Sequence, residues 1–209
     1  MKYLTVVACM ILLCACSAST LSGREARVDL YACEGCEAVF EVPASQLGPI
    51  AAVASAEEPG DRLVLSGTVY KTDGQTPAGG VVVYMHQTNA AGSYAGGNPN
   101  QTWSRRHGRL RAWIKTDPEG RFRFNTVKPG PYPGHTEPAH IHLTVLEPGR
   151  PPYFIDDVVF HGETRVTPEY LRARGNRGGS GVISLTRNED RVWLARRDII
   201  LEPHPSNDG

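Results

Sequence analysis

His140 and His142 stand one residue apart in the apolar run His140–Leu146, and along an extended strand side chains two apart share a face. Both imidazoles can therefore reach one metal ion, while Ile141 between them turns the other way, toward a core. Two exposed strand histidines fit the same spacing, and imidazole serves zinc, copper, iron and nickel alike, so the pair alone selects no metal. The segment before it narrows the chemistry. Thr126-Val127-Lys128-Pro129-Gly130-Pro131-Tyr132-Pro133 carries three prolines, whose fixed φ holds Tyr132 in a stiff loop, as a preorganised ligand requires.

Strands must carry these groups. Leu63–Tyr70, Val81–Gln87, Leu110–Lys115, Arg121–Phe124, His140–Leu146, Tyr153–Phe160, Val182–Leu185 and Val192–Leu201 read as short β-strands. Turn clusters such as Thr72-Asp73-Gly74-Gln75-Thr76-Pro77 separate them. Only Thr167–Arg172 suggests a helix. With 22 glycines and 16 prolines as punctuation, the pattern predicts an all-β fold, an antiparallel β-sandwich. No internal repeat supports a solenoid or propeller. Lys and Arg number 22 and so do Asp and Glu; the zero formal charge gives no case for a nucleic-acid partner. A Walker loop, a nucleophile elbow and an HExxH motif are all missing, which argues against NTPases and the common hydrolases.

Lys128 to Pro133 and Pro138 to His142 closely resemble the KPGPYP-type loop and PAHIH strand of the intradiol ring-cleavage dioxygenases. Gln87 to Tyr94 resembles the family segment that ends in the first iron-binding tyrosine, and the likeness runs over residues 62–160. The resemblance implies a sandwich with a loop-borne Fe(III) site whose ligands are Tyr94, Tyr132, His140 and His142. It implies a small aromatic diol and O2 as substrates, with the ring opened between its two hydroxylated carbons to a muconate-type diacid. One tyrosine, displaced by the diol, would help take up its protons.

The likeness breaks in the expected surroundings of the metal. The family commonly has an arginine three residues before the first histidine; Glu137 stands there, a charge reversal that puts it with Tyr94 and Tyr132 among the candidate catalytic residues. Gly134 replaces a common aromatic and His86 a common tryptophan, so these two and His135 are candidate substrate-binding residues. Arg105, Arg106 and Arg109, with Arg111, lie between the two tyrosines and are candidates for a replacement cation, or else form an exposed basic loop. Arg165, Arg172, Arg174 and Arg177, ahead of Gly178-Gly179-Ser180-Gly181, make either an anion-binding stretch or a solvated loop. His161 and His204 have no recognisable context. Two readings stand beside the enzyme: a non-catalytic envelope module that binds iron and catechol-type ligands, and a plain adhesion sandwich without metal.

Residues 1–16 read as a signal peptide: Lys2 precedes the apolar run Leu4–Cys14, which is too short to span a bilayer. Leu13-Cys14-Ala15-Cys16 resembles a bacterial lipobox with Cys16 as the lipidation site; a plain secretory peptide cut near Ala18 is the alternative. Ser17 resembles the outer-membrane class, so the expected location is the bacterial cell envelope, with the membrane as partner through a lipid anchor. Residues 17–60 read as a tether with an N-terminal CxxC segment, and 61–209 as the dioxygenase-like domain. In an oxidising compartment Cys33 and Cys36 favour a local disulfide; a redox or zinc role needs a context this segment does not offer. The family resemblance also admits a homo-oligomer.

Overall fold

Alternation sets the faces of the central strands: in Arg121–Val127, Phe122 and Phe124 are buried while Arg121 and Arg123 are exposed. The computed structural model describes residues 24–205. Its strands, in chain order, are β1 (Ile50–Ala52), β2 (Arg62–Tyr70), β3 (Val82–Gln87), β4 (Arg111–Lys115), β5 (Arg121–Val127), β6 (His140–Leu146), β7 (Tyr153–Phe160), β8 (Val182–Ile183), β9 (Leu185–Arg187), β10 (Trp193–Arg196) and β11 (Ile199–Ile200). One sheet runs β1-β5-β2-β10-β9, with β11 also on β2; the other runs β4-β3-β6-β7-β8. The central pairs β2·β5, β3·β4, β3·β6 and β6·β7 are antiparallel. The short strands β1, β8, β10 and β11 add parallel pairs.

The main core lies between the sheets. Leu63, Leu65, Phe122 and Phe124 from one meet Val83, Met85, Ile141, Leu143 and Val145 from the other, all nearly inaccessible to water. Ile141 thus faces inward, which puts His140 and His142 on the outer face of the second sheet. Val82 and Tyr84 share that outer face and form a second apolar cluster with Ala38, Val39, Trp103 and Trp113. The cover comes from a 3-10 turn at Cys36–Glu41 and the helix α1 (Thr102–His107). A second short helix, α2 (Pro168–Arg172), has its Pro in the first turn and Thr167 as side-chain cap.

The tether expected over residues 17–60 is corrected from residue 24 onward. Leu30 is completely buried, the Trp113 indole N–H donates to the carbonyl of Ala38 at 2.9 Å, β1 pairs with β5, and Arg24 and Arg27 pair with buried Glu202. Short 3-10 turns have no sustained period, so this part of the domain reads as linker. The single strand expected over Val192–Leu201 is two, β10 and β11, because buried Arg197 interrupts them and donates to the carbonyls of Gly178 and Asp198. Val182–Leu185 likewise divides between β8 and β9, which lie in different sheets. Cys33 and Cys36 are joined as a disulfide. The leader and Cys16 lie outside the described residues; among those described, no helix is long and apolar enough to cross a membrane.

Candidate metal centre

Two loops and one strand converge on the outer face of the second sheet. Tyr94 ends the loop after β3 and Tyr132 the loop after β5; Gly130 N–H donates to Asn89 O at 2.9 Å and Thr88 Oγ1 to Gly130 O at 2.7 Å, tying the loops together. At Gly92 φ is +79° and a Cβ would collide with the Pro131 carbonyl, so only glycine allows this approach. The Tyr94 and Tyr132 hydroxyls come within 2.7 Å. Tyr132 Oη is 3.2 Å from His140 Nε2 and 3.5 Å from His142 Nε2. The four residues expected as ligands are therefore together.

The hydrogen bonds fix the imidazole tautomers. His140 Nδ1 lies 2.7 Å from the Pro138 carbonyl, which only accepts, so Nδ1 carries the proton. His142 Nδ1 lies 2.9 Å from Asp157 Oδ1 and donates to it. Each neutral ring is left with a bare lone pair on Nε2, and the two Nε2 atoms face each other at 3.0 Å. Two acceptors at that distance repel unless a cation or proton lies between them. Burial lowers the pKa of His140, aided by the nearby His142, which disfavours the proton and favours a metal. Burial raises the pKa of Tyr94, as does its hydrogen bond to Tyr132. Burial also raises that of Tyr132. A phenolate here thus needs a cation beside it, and the four groups fit a highly charged one.

Asp157 escaped the sequence reading. Its carboxylate lies within 4.8 Å of ring nitrogens of His140 and His142, so those three residues are a conceivable ligand set. The hydrogen bond decides otherwise: Oδ1 is engaged by the ring nitrogen that points away from the cluster, making Asp157 the group that orients His142. Burial pulls its pKa up, but the charge and hydrogen bond of His142 outweigh that and hold it below the ordinary value. A register shift in β6·β7 between Ile141 and Leu143 aims it. The signal was the adjacent pair Asp156-Asp157 between inward Ile155 and Val158, which breaks strict alternation.

The expected pocket residues fare unevenly. His86 faces His142 in register on the neighbouring strand, with ring centroids 4.5 Å apart, and stacks on His107 at 3.8 Å. His135 stands outside, exposed, with Nδ1 3.7 Å from Glu137 Oε2. Glu137 is itself half exposed and its backbone carbonyl accepts from Arg165 at 3.2 Å. Gly134 has φ +75° and open space around it, a turn an aromatic residue would strain. Of the two readings of the arginines, the geometry favours the exposed basic loop: Arg105 is exposed, and Arg106 and Arg109 pair with Glu34 and Glu58. Arg111 lies opposite His86 but is bound to Glu41. Their acidic partners come from the segment read as tether, which is why the sequence left these arginines free. Arg177 likewise pairs with Asp29.

Clefts of about 450 and 420 Å³ hold none of the four groups, and one of about 260 Å³ opens behind Asp157, lined by Phe154, Tyr170 and Arg174. The converging donors are the better guide, because metal binding depends on ligand geometry rather than empty volume.

A β-sandwich bearing two tyrosines and two histidines in this arrangement defines a class, and residues 39–208 match the family model described as Dioxygenase. The chain belongs to the intradiol ring-cleavage dioxygenase family. It is 34% identical over 122 residues to the protocatechuate 3,4-dioxygenase beta chain of Burkholderia cepacia, covering 49% of this chain and 48% of that one. It is 30% identical over 166 residues to the chlorocatechol 1,2-dioxygenase of Pseudomonas putida, covering 67% and 61%. The chain thus spans about half to three fifths of these relatives' lengths. The solved catechol 1,2-dioxygenase of Pseudomonas arvilla C-1 shares the fold at TM-score 0.59 and 20% identity, covering 80% of this chain and 61% of that one. The dioxygenase domain of a carbohydrate-binding fusion protein from Streptomyces sp. SirexAA-E aligns at TM-score 0.57 and 23% identity, covering 75% and 90%.

Proposed function

We propose that this protein is an Fe(III)-dependent intradiol dioxygenase that opens a catecholic or related dihydroxyaromatic ring between its hydroxyls with O2. The observation that carries the reading is the pair of bare imidazole nitrogens 3.0 Å apart beside two phenols in mutual contact. Tyr94, Tyr132, His140 and His142 would hold the ion. When bound, ferric iron supplies a Lewis acid for a chelating diolate and the redox capacity to make that ring reactive toward O2.

The chain's own groups do the rest. Asp157 and the Pro138 carbonyl fix the imidazole rings, so both Nε2 atoms point inward without reorganisation. The phenol oxygens of Tyr94 and Tyr132 lie 2.7 Å apart; ionised beside the ion, one of them would be the base that takes up a proton the diol gives up on binding, becoming a neutral phenol. Glu137 does not oppose a dianionic substrate strongly, because its carboxylate is half exposed and lies beside His135. That weakens the case for a non-catalytic catechol-binding module. Iron-loaded protein should consume oxygen on a panel of catechols and release a diacid in equal amount; no uptake across the panel would remove the enzyme reading.

The leader supports export, with Cys16 as lipid acceptor and the outer membrane as the destination. Cys16→Ser should abolish incorporation of a labelled fatty acid, and retained label would refute the anchor.

A further inference from the structure

One row of side chains crosses the outer face of the second sheet: Arg111 on β4, His86 on β3, His142 on β6 and Asp157 on β7. Most of its polar groups have partners. Arg111 is held by Glu41, His142 Nδ1 donates to Asp157, and the neighbouring His107 Nδ1 is 2.8 Å from the Tyr84 hydroxyl. His86 differs: its Nδ1 is buried and has no hydrogen-bond partner. The ring cannot swing to find one, because it is stacked between His107 at 3.8 Å and His142 at 4.5 Å.

A buried donor left without an acceptor forfeits its hydrogen bond, so we assign the lone pair to Nδ1 and the proton to Nε2, where a partner can reach it. His86 as a whole is only partly buried and Nδ1 is its buried unpartnered atom, which leaves Nε2 as the polar atom of the ring open to a ligand. The ring lies beside the cluster, 6.0 Å from that of Tyr94 and 4.5 Å from that of His142. The result is a fixed donor next to the place where the diol must lie if the proposed function holds.

We propose that His86 sets substrate choice, its Nε2–H donating to an acceptor oxygen on the aromatic ring of the diol while the vicinal hydroxyls face Tyr94, Tyr132, His140 and His142. The acceptor is a ring carboxylate or a further ring hydroxyl; a bare or alkyl-substituted ring offers the donor nothing. The inference rests on the proposed function and deepens it. Loss of one such hydrogen bond costs about tenfold in selectivity.

The test uses iron-loaded full-length protein and the variants His86→Phe, which keeps a stacking ring without the donor, and His86→Gln, which keeps a donor. 3,4-Dihydroxybenzoate, 1,2,4-trihydroxybenzene, 4-methylcatechol and catechol are titrated without oxygen by tryptophan fluorescence, then compared by kcat/KM from oxygen uptake. The expected result is tighter binding and faster turnover for one or both acceptor-bearing rings, a preference reduced about tenfold in His86→Phe and partly restored in His86→Gln. The carboxylate and the hydroxyl rings separate the two sources of the acceptor. Equal preference in wild type and both variants, with catechol still opened, would overturn the role of His86 and leave the proposed function standing. Failure of every diol to bind wild type would overturn both together.

Discussion

Asp157 is the residue on which the geometry of His142 depends. Truncating such an outer partner typically weakens metal binding about 10- to 100-fold, so Asp157→Ala should do so in a competition titration, with Asp157→Asn losing less because it keeps an acceptor oxygen. The metal-free protein should also be sensitive to acid. Burial lowers the pKa of His107 to about 4, and burial likewise lowers those of His86 and His140. Below about 6.5 the unfolded chain takes up protons that the folded one refuses. Stability should therefore fall as pH drops from about 6.5 to about 4, with a shallower fall in His107→Phe, as read by melting temperature at a series of pH values. At this scale the four proposed ligands were legible because each lies in a contiguous stretch with its own spacing or loop chemistry. Asp157, His107 and the acidic partners of Arg106, Arg109 and Arg111 were not, since only tertiary folding brings them near.

The ligand loops act as one element because their backbones touch. Gly92→Ala adds a methyl where φ is +79° and the Pro131 carbonyl is in the way, which should cost about 1–3 kcal/mol in a denaturant titration and loosen iron more than a surface Gly→Ala control. Strands β6 and β7 were legible to the residue: β6 alternates strongly, and turn signals bound both. The helix α1 was not, for it makes fewer than two turns and its only buried residue is Ser104. The split between β10 and β11 was hidden as well, because nothing in the local pattern marks Arg197 as a buried guanidinium whose carbonyl partners come from the segment around Gly178.

Over the whole molecule, the metal face is closed by chain that precedes the sandwich. Leu30 belongs to the main core, so Leu30→Ala should destabilise the protein by about 2–5 kcal/mol in thermal or denaturant unfolding, far more than a linker residue would. The all-β sandwich was evident from the many short strands and from the Gly and Pro punctuation. Its N-terminal cover was not, because Leu30 and the short run Ala38-Val39-Phe40 show no sustained period, and the partners of Leu30, Ala38 and Val39 lie far along the chain. The proposed function joins these scales: a sandwich, closed by the chain that precedes it, would hold one ferric ion between two tyrosines and two histidines. Its most direct measurement is the visible absorption spectrum of iron-loaded protein before and after adding catechol, with Tyr94→Phe and Tyr132→Phe alongside. The account predicts a broad tyrosinate-to-iron charge-transfer band that changes in both variants and shifts with catechol; iron-loaded protein without the band, or a band untouched by both substitutions, would contradict it.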